Sequence, residues 1–146
     1  MWMFISTLTQ RGSTPALEAT LKFQHERLKV VAENVANFGT PGYRARQLDA
    51  KGFQRALRTA LTERGSDPRN PLRIDAGREA RSGADGRLIV TPSDGPVENV
   101  LFHDGTNASL ERQMSELAQA ALTHRVASEL LRNKFDGLRK AIRGTM

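Results

Sequence analysis

The sequence predicts an all-α fold: an antiparallel, coiled-coil-like two-helix hairpin built from an N-terminal and a C-terminal helix, with an irregular, partly β or disordered middle segment. Two long stretches, one near each end, carry apolar residues at alternating steps of four and three, the spacing that keeps side chains on one line down a helix. Between them Gly, Pro, Asp, Asn and Arg crowd together, which is turn and loop chemistry. Composition agrees: 38% hydrophobic and 5% aromatic residues in 146 are enough for seams and too few for a thick core. The chain divides into an apolar segment at 1–13, a first helix with its closing turn at 14–46, a short helix and irregular region at 47–108, and a terminal helix at 109–146.

The opening run Met1-Trp2-Met3-Phe4-Ile5-Ser6-Thr7-Leu8 is apolar, and Gln10 and Arg11 follow it. It lacks the basic start of a signal peptide and is too short for a membrane span. Such a segment packs on a neighbouring subunit, packs back on its own helices, or frays. Any export is expected by a route that needs no cleaved signal.

Thr14-Pro15 marks a helix start, with Thr14 as cap, Pro15 at the first helical position and Glu18 in the first turn. From Leu17 the seam runs through Leu21, Gln24, Leu28, Val31, Val35 and Phe38. The helix is expected to stop at Asn37-Phe38-Gly39-Thr40-Pro41-Gly42-Tyr43, with Gly39 taking a left-handed C-cap and Pro41-Gly42 the centre of a type II turn. A short amphipathic helix over 48–61 follows from the spacing of Phe53, Leu57 and Leu61. Within 63–107 the strand-like run is Arg87-Leu88-Ile89-Val90-Thr91, with a weaker one at 97–102. This region is expected to be loop or loose hairpin in the free subunit and to order on assembly.

The terminal helix organises the rest. Its seam passes through Leu110, Met114, Leu117, Ala121, His124, Ser128, Leu131, Phe135, Leu138 and Ile142. Ser109 is placed to cap it with Glu111 in the first turn, and Arg139, Lys140 and Arg143 suit the negative end of the helix dipole. At 1.5 Å per residue the rod is roughly 50 Å long, so its stripe needs a partner helix. The first helix is shorter, and the uncovered length is expected to meet other copies or other proteins.

Little in the chain carries catalysis. His25, His103 and His124 fall on different elements without the paired spacing of a metal site, and His124 reads as a half-buried residue fixing register. The absence of cysteine excludes disulfides and thiolate chemistry. Gly83-Ala84-Asp85-Gly86 and Asp94-Gly95-Pro96 are turns with no following helix to present to a phosphate. The sequence therefore implies no enzyme, cofactor, metal or small-molecule substrate. A net charge of +6 and the cluster Arg44, Arg46, Lys51, Arg55 and Arg58 point toward anions, yet basic and acidic residues are interspersed and no zinc finger, basic zipper or stacking aromatic array accompanies them. A solvated basic face is expected rather than a nucleic-acid partner.

Three separated strings resemble one family. Val31-Ala32-Glu33-Asn34-Val35-Ala36-Asn37-Phe38-Gly39-Thr40-Pro41-Gly42-Tyr43-Arg44-Ala45-Arg46 is similar to the N-terminal signature of bacterial flagellar rod and hook axial proteins, where an Asn-x-x-Asn helix end runs into Thr-Pro-Gly-Tyr. Asp104-Gly105-Thr106-Asn107-Ala108-Ser109-Leu110-Glu111-Arg112-Gln113-Met114-Ser115-Glu116-Leu117 resembles that family's entry to the C-terminal helix, with Ser109 where an Asp is usual. Leu130-Leu131-Arg132-Asn133-Lys134-Phe135-Asp136-Gly137-Leu138-Arg139-Lys140-Ala141-Ile142 resembles the closing segment of its basal-body rod members.

The resemblance implies a structural subunit of the proximal rod, which transmits torque and is required for motility. It implies self-association, contact with other flagellar rod proteins and with the membrane-ring and export-gate complex, a periplasmic place in the basal body, and unfolded export through the flagellar type III channel. Asn34, Asn37, Thr40, Pro41, Gly42 and Tyr43 are then the turn that sends the chain outward, and Leu117, Leu131, Phe135 and Leu138 are assembly residues. The alternatives are a helical filament or adaptor subunit of another secretion machine and a basic nucleic-acid-binding helical protein.

Overall fold

The computed structural model describes residues 13–67, 70–94 and 106–144, and the side chains of these except at 106–109, 138, 141 and 142. The apolar run at 1–8, the weaker strand-like run at 97–102 and His103 lie outside the described residues. Within them the protein is mostly helical, with short strands in the middle. Helix α1 spans Thr14–Ala36, α2 Ala50–Arg64 and α3 Thr106–Arg143; the strands are β1 (Arg46–Gln47), β2 (Ala80–Ser82), β3 (Leu88–Val90) and β4 (Ser93–Asp94).

The helix starts differ from expectation. Ser13, not Thr14, is at the N-cap of α1, so Pro15 falls in the second helical position and Glu18 beyond the first turn; the Ser13 side chain makes no capping bond. Its carbonyl accepts from the Leu17 amide at 2.9 Å, while its hydroxyl is taken by Lys134. Helix α3 begins at Thr106, which puts Ser109 inside the helix and Glu111 past the first turn, whereas Lys140 and Arg143 do occupy the last turn. Helix α2 is capped by Asp49, whose carboxylate accepts from the Gly52 amide at 2.9 Å.

The middle region is built rather than loose. β2 and β3 pair antiparallel, Ala80 with Val90 and Ser82 with Leu88, around the 83–87 turn, and β1 pairs with β4. Ser82 also bonds the 72–76 segment: its amide reaches the Ile74 carbonyl at 2.8 Å and its hydroxyl accepts from the Ile74 amide at 2.9 Å. Glu79 links these pieces to α2, accepting from the Asp49 amide at 2.6 Å and from the Ser93 hydroxyl.

That region supplies half of the core. Phe23 of α1 stacks on Phe53 of α2, ring centroids 4.1 Å apart and planes within 2°. Ala16, Leu17, Ala19 and Val30 from α1, Leu48 before α2, Leu57 and Ala60 from α2, Leu72, Ile74 and Ala80 from the β region and Ala127 from α3 complete the cluster. The chain thus orders its middle by laying it on α1, a surface the two-helix expectation left to solvent. Apolar residues too sparse for a separate core suffice when α1 provides one wall.

Candidate assembly site

The residues of the Asn-x-x-Asn to Tyr string gather at the end of α1. Asn34, on the last turn and only 6% exposed, holds the returning chain as a strand partner would. Its amide nitrogen donates to the Arg46 carbonyl at 2.7 Å, and its oxygen accepts from the Arg46 amide at 3.0 Å and the Tyr43 hydroxyl at 3.1 Å. The Arg46 guanidinium pairs with Glu33 one residue earlier on α1. One asparagine thereby fixes where β1 leaves the helix.

Asn37 ends the helix. It is the C-cap, at φ −103° and ψ 14°, and its side-chain nitrogen donates at 2.9 Å to the Glu33 carbonyl, which also accepts the Asn37 backbone amide at 3.0 Å. Its carbonyl accepts from the Thr40 amide at 2.9 Å and its side-chain oxygen from the Thr40 hydroxyl at 3.4 Å. Pro41 and Gly42 are the central pair of a turn closed by the Tyr43 amide on the Thr40 carbonyl at 3.3 Å, and Gly42 has φ +78°, as a type II turn requires. Gly39 does not take a positive φ. The expected left-handed glycine cap is replaced by Asn37, which closes the helix with its own amide and leaves Gly39 nothing to relieve.

The contact between α1 and α3 follows the stripe that hydropathy marks only in part. On α3 Ala120 and Ala127 are buried, and Gln113, Leu117, His124, Leu131 and Lys134 are half-buried around them. Leu117, His124 and Leu131 belong to the expected seam, but Met114, Ala121 and Phe135 are exposed, at 51% and 45% for Met114 and Phe135. The side chain of Leu138 is outside the described ones. On α1 the expected seam residues Leu17, Gln24 and Val31 are buried, Leu21, Leu28 and Val35 half-buried and Phe38 exposed, and Ala16, Ala19, Thr20, Phe23, Arg27, Val30 and Asn34 are buried beside them.

Alanines let the helices approach, and long polar side chains bury their stems there, which hydropathy does not anticipate. Lys134 donates to the Ser13 hydroxyl at 2.8 Å, the His25 and His124 rings lie 6.4 Å apart, and Arg27, whose pKa is lowered by burial, feels the Glu116 carboxylate as a partial counterweight. These polar partners were missed because only their position opposite another helix distinguishes them from surface residues.

The outer side of α3 is correspondingly apolar. Met114, Leu122 and Val126 are exposed, Leu122 at 64%. Of the basic cluster, Arg46 pairs with Glu33, and Arg55 lies 3.9 Å from Asp49 in an exposed contact. Among the described residues there is no group of side chains fit to hold a metal ion, and no helix is long and apolar enough to cross a membrane.

No family model and no solved structure matches the chain. Several characterised proteins do. The flagellar basal body rod protein FlgB of Bacillus subtilis strain 168 is 25% identical over 133 residues, covering 91% of this chain and 95% of that protein. FlgB of Aeromonas hydrophila is 27% identical over 130 residues, 85% of this chain and 87% of its own. FlgB of Salmonella typhimurium is 25% identical over 150 residues, 88% and 96% respectively. The chain is thus similar to flagellar basal body rod proteins over most of its own length and most of theirs.

Proposed function

We propose that this chain is a structural subunit of the proximal rod of the bacterial flagellum, with no catalytic role. The observation that carries the reading is the similarity to FlgB proteins along most of the chain. In the subunit α1 and α3 form an antiparallel hairpin. Support for that direction comes from the order of contacts: following α1 from Ser13 through His25 to Arg27 meets Lys134, His124 and Glu116 in turn. Leu117 and Leu131 serve the hairpin's own seam, while the outward residues Met114, Leu122 and Val126 meet neighbouring subunits. An apolar patch of this kind marks an interaction surface, and repetition of a heterologous contact that does not close gives a tube.

Asn34, Asn37, Thr40, Pro41, Gly42 and Tyr43 act as the rigid corner that redirects the chain from the helical layer to the middle region. Partners are further copies, other flagellar rod proteins and the membrane-ring and export-gate complex. The subunit works in the periplasmic part of the basal body, after unfolded passage through the flagellar type III channel. The polar seam between α1 and α3, in which the buried oxygens of Gln24 and Gln113 have no hydrogen-bond partner, limits the stability of the subunit and suits it to unfolding before export.

The test is a strain lacking the gene, assayed for swimming and by electron microscopy of its basal bodies. The proposal expects loss of swimming and membrane rings without a rod. Normal swimming on intact rods would overturn it.

A further inference from the structure

A groove of about 560 Å³ lies between the start of α1 and the 83–87 turn. Ala19, Leu72, Ile74 and Leu88 form its apolar floor, and Glu18 and Arg87 stand on its two banks. β3 runs from that turn toward β4, which pairs with β1 at the far end of α1, where Asn34 holds Arg46. Arg87 therefore lies toward the Pro15 end of the groove, and Glu18 further along α1. Both charges are available to a partner. Glu18 is exposed and forms no ion pair among the described residues, and Arg87 is engaged only by an exposed 3.8 Å contact with Asp85. Lys22, also on the α1 bank, is already paired with Glu26.

The outward face of α3 has the converse make-up. Leu122, 64% exposed, and Val126 stand one turn apart, about 6 Å along the helix. Arg125 and Glu129 flank them, exposed and without an ion pair among the described residues. Ala120 and Ala127 are buried on the other side of the helix, so this face is turned away from α1. In copies stacked side by side in one orientation, a neighbour's α3 runs antiparallel to α1, as the subunit's own does. Along α1 the neighbour then presents Glu129 first and Arg125 second, the order in which Arg87 and Glu18 stand on the groove.

We propose that the groove is the docking site for the outward face of α3 of a second copy of this chain, with Leu122 and Val126 over the apolar floor, Arg125 against Glu18 and Glu129 against Arg87. The inference rests on the proposed self-assembly and on the antiparallel reading of α1 and α3, and it names the surface that the outward face meets. The apolar contact supplies attraction, and the rim charges, screened by water, set register and direction. Groove and ridge have no residue in common, so the contact is heterologous, and each copy that docks leaves its own groove free for the next.

The chain has no cysteine to remove, which makes the test direct. Glu18→Cys and Arg125→Cys are produced together, as two separate chains, in a strain lacking the native gene, and the cells are treated with a short bis-maleimide. Bridged dimers are expected from the mixture and from neither variant alone. Dimers from one variant alone would mark a two-fold contact, bridging to a protein of another mass would give the groove to a different partner, and an unbridged mixture would leave α3 elsewhere. Each of these results would overturn the proposal.

Charge exchange reads the same contact without a crosslinker. Glu18→Arg and Arg125→Glu should each shrink swimming colonies severalfold, and the two changes in one chain should restore most of the diameter. Single variants that swim normally, or a double variant no better than either, would overturn the docking. Normal swimming of cells that lack the gene would instead overturn the rod function, and bridged dimers in the mixture would still report the contact.

Discussion

Removing the Asn34 side chain should loosen the corner at the end of α1 by a calculable amount. Three hydrogen bonds are lost, to the Arg46 carbonyl, the Arg46 amide and the Tyr43 hydroxyl at 2.7, 3.0 and 3.1 Å. At about 0.5–1.5 kcal/mol each, with half-buried partners that regain some water, the loss is about 2–3 kcal/mol. The better helix propensity of alanine offsets about 0.5 kcal/mol of it. Asn34→Ala is therefore expected to cost about 2 kcal/mol in urea unfolding of the isolated subunit followed by circular dichroism. Tyr43→Phe removes one of the same three bonds and should cost about 1 kcal/mol alone and almost nothing in the Asn34→Ala background. Asn34→Asp keeps both acceptor roles but sets an oxygen against the Arg46 carbonyl in a site that is 6% exposed. Burial and that carbonyl raise the folded-state pKa of the new carboxyl above its unfolded value, so the penalty is full at neutral pH and fades as the group protonates. Its stability relative to wild type should thus rise as pH falls from about 7 toward about 4. Additive costs for Asn34→Ala and Tyr43→Phe, or an Asn34→Asp variant as stable as wild type at neutral pH, would refute the network.

Four glycines and one aromatic give further tests by thermal or urea unfolding. Gly42→Ala should lose about 1–2 kcal/mol because its φ is +78°, whereas Gly39→Ala, with open space around a new Cβ and an ordinary φ, should stay within about 0.5 kcal/mol. In mid-helix α3, Gly137→Ala meets nothing within 4 Å and should gain about 1 kcal/mol. The same change at Gly52 should gain little or nothing, since its Cβ would lie 2.5 Å from the Asp49 carboxylate that caps α2. Phe23→Ala, which empties a fully buried site and ends the stack on Phe53, should cost about 3–5 kcal/mol and unfold the middle region together with α1.

The three helices and β3 were legible because each announces itself locally. Four-three spacing marked both terminal helices, Phe53, Leu57 and Leu61 marked α2, and Leu88-Ile89-Val90 marked β3. Pro41-Gly42 spelled its turn through a fixed φ and a permitted positive one. Which side of each helix is buried was not legible in the same way. Hydropathy ranks Leu28, Met114 and Phe135 above Arg27, Ala120 and Lys134, but the contact is made where alanines allow close approach and long stems end on a partner. The order of the middle region was hidden for a related reason: Leu72, Ile74 and Ala80 look too few for a core until Phe23 and Leu17 are counted with them. At the corner, the string drew attention to Asn34 and Asn37, but that Asn34 clasps Arg46 across 12 residues follows only from where β1 runs.

On the proposed function, the outward face of α3 is expected to matter to neighbours and not to the fold of the subunit. Leu122→Asp tests this most directly, measured twice: urea unfolding of the purified protein, and rod assembly in a strain whose sole copy carries the change. The expected result is stability within about 0.5 kcal/mol of wild type, as for an exposed position, together with basal bodies that lack the rod and cells that do not swim. Normal rods built from Leu122→Asp would contradict it.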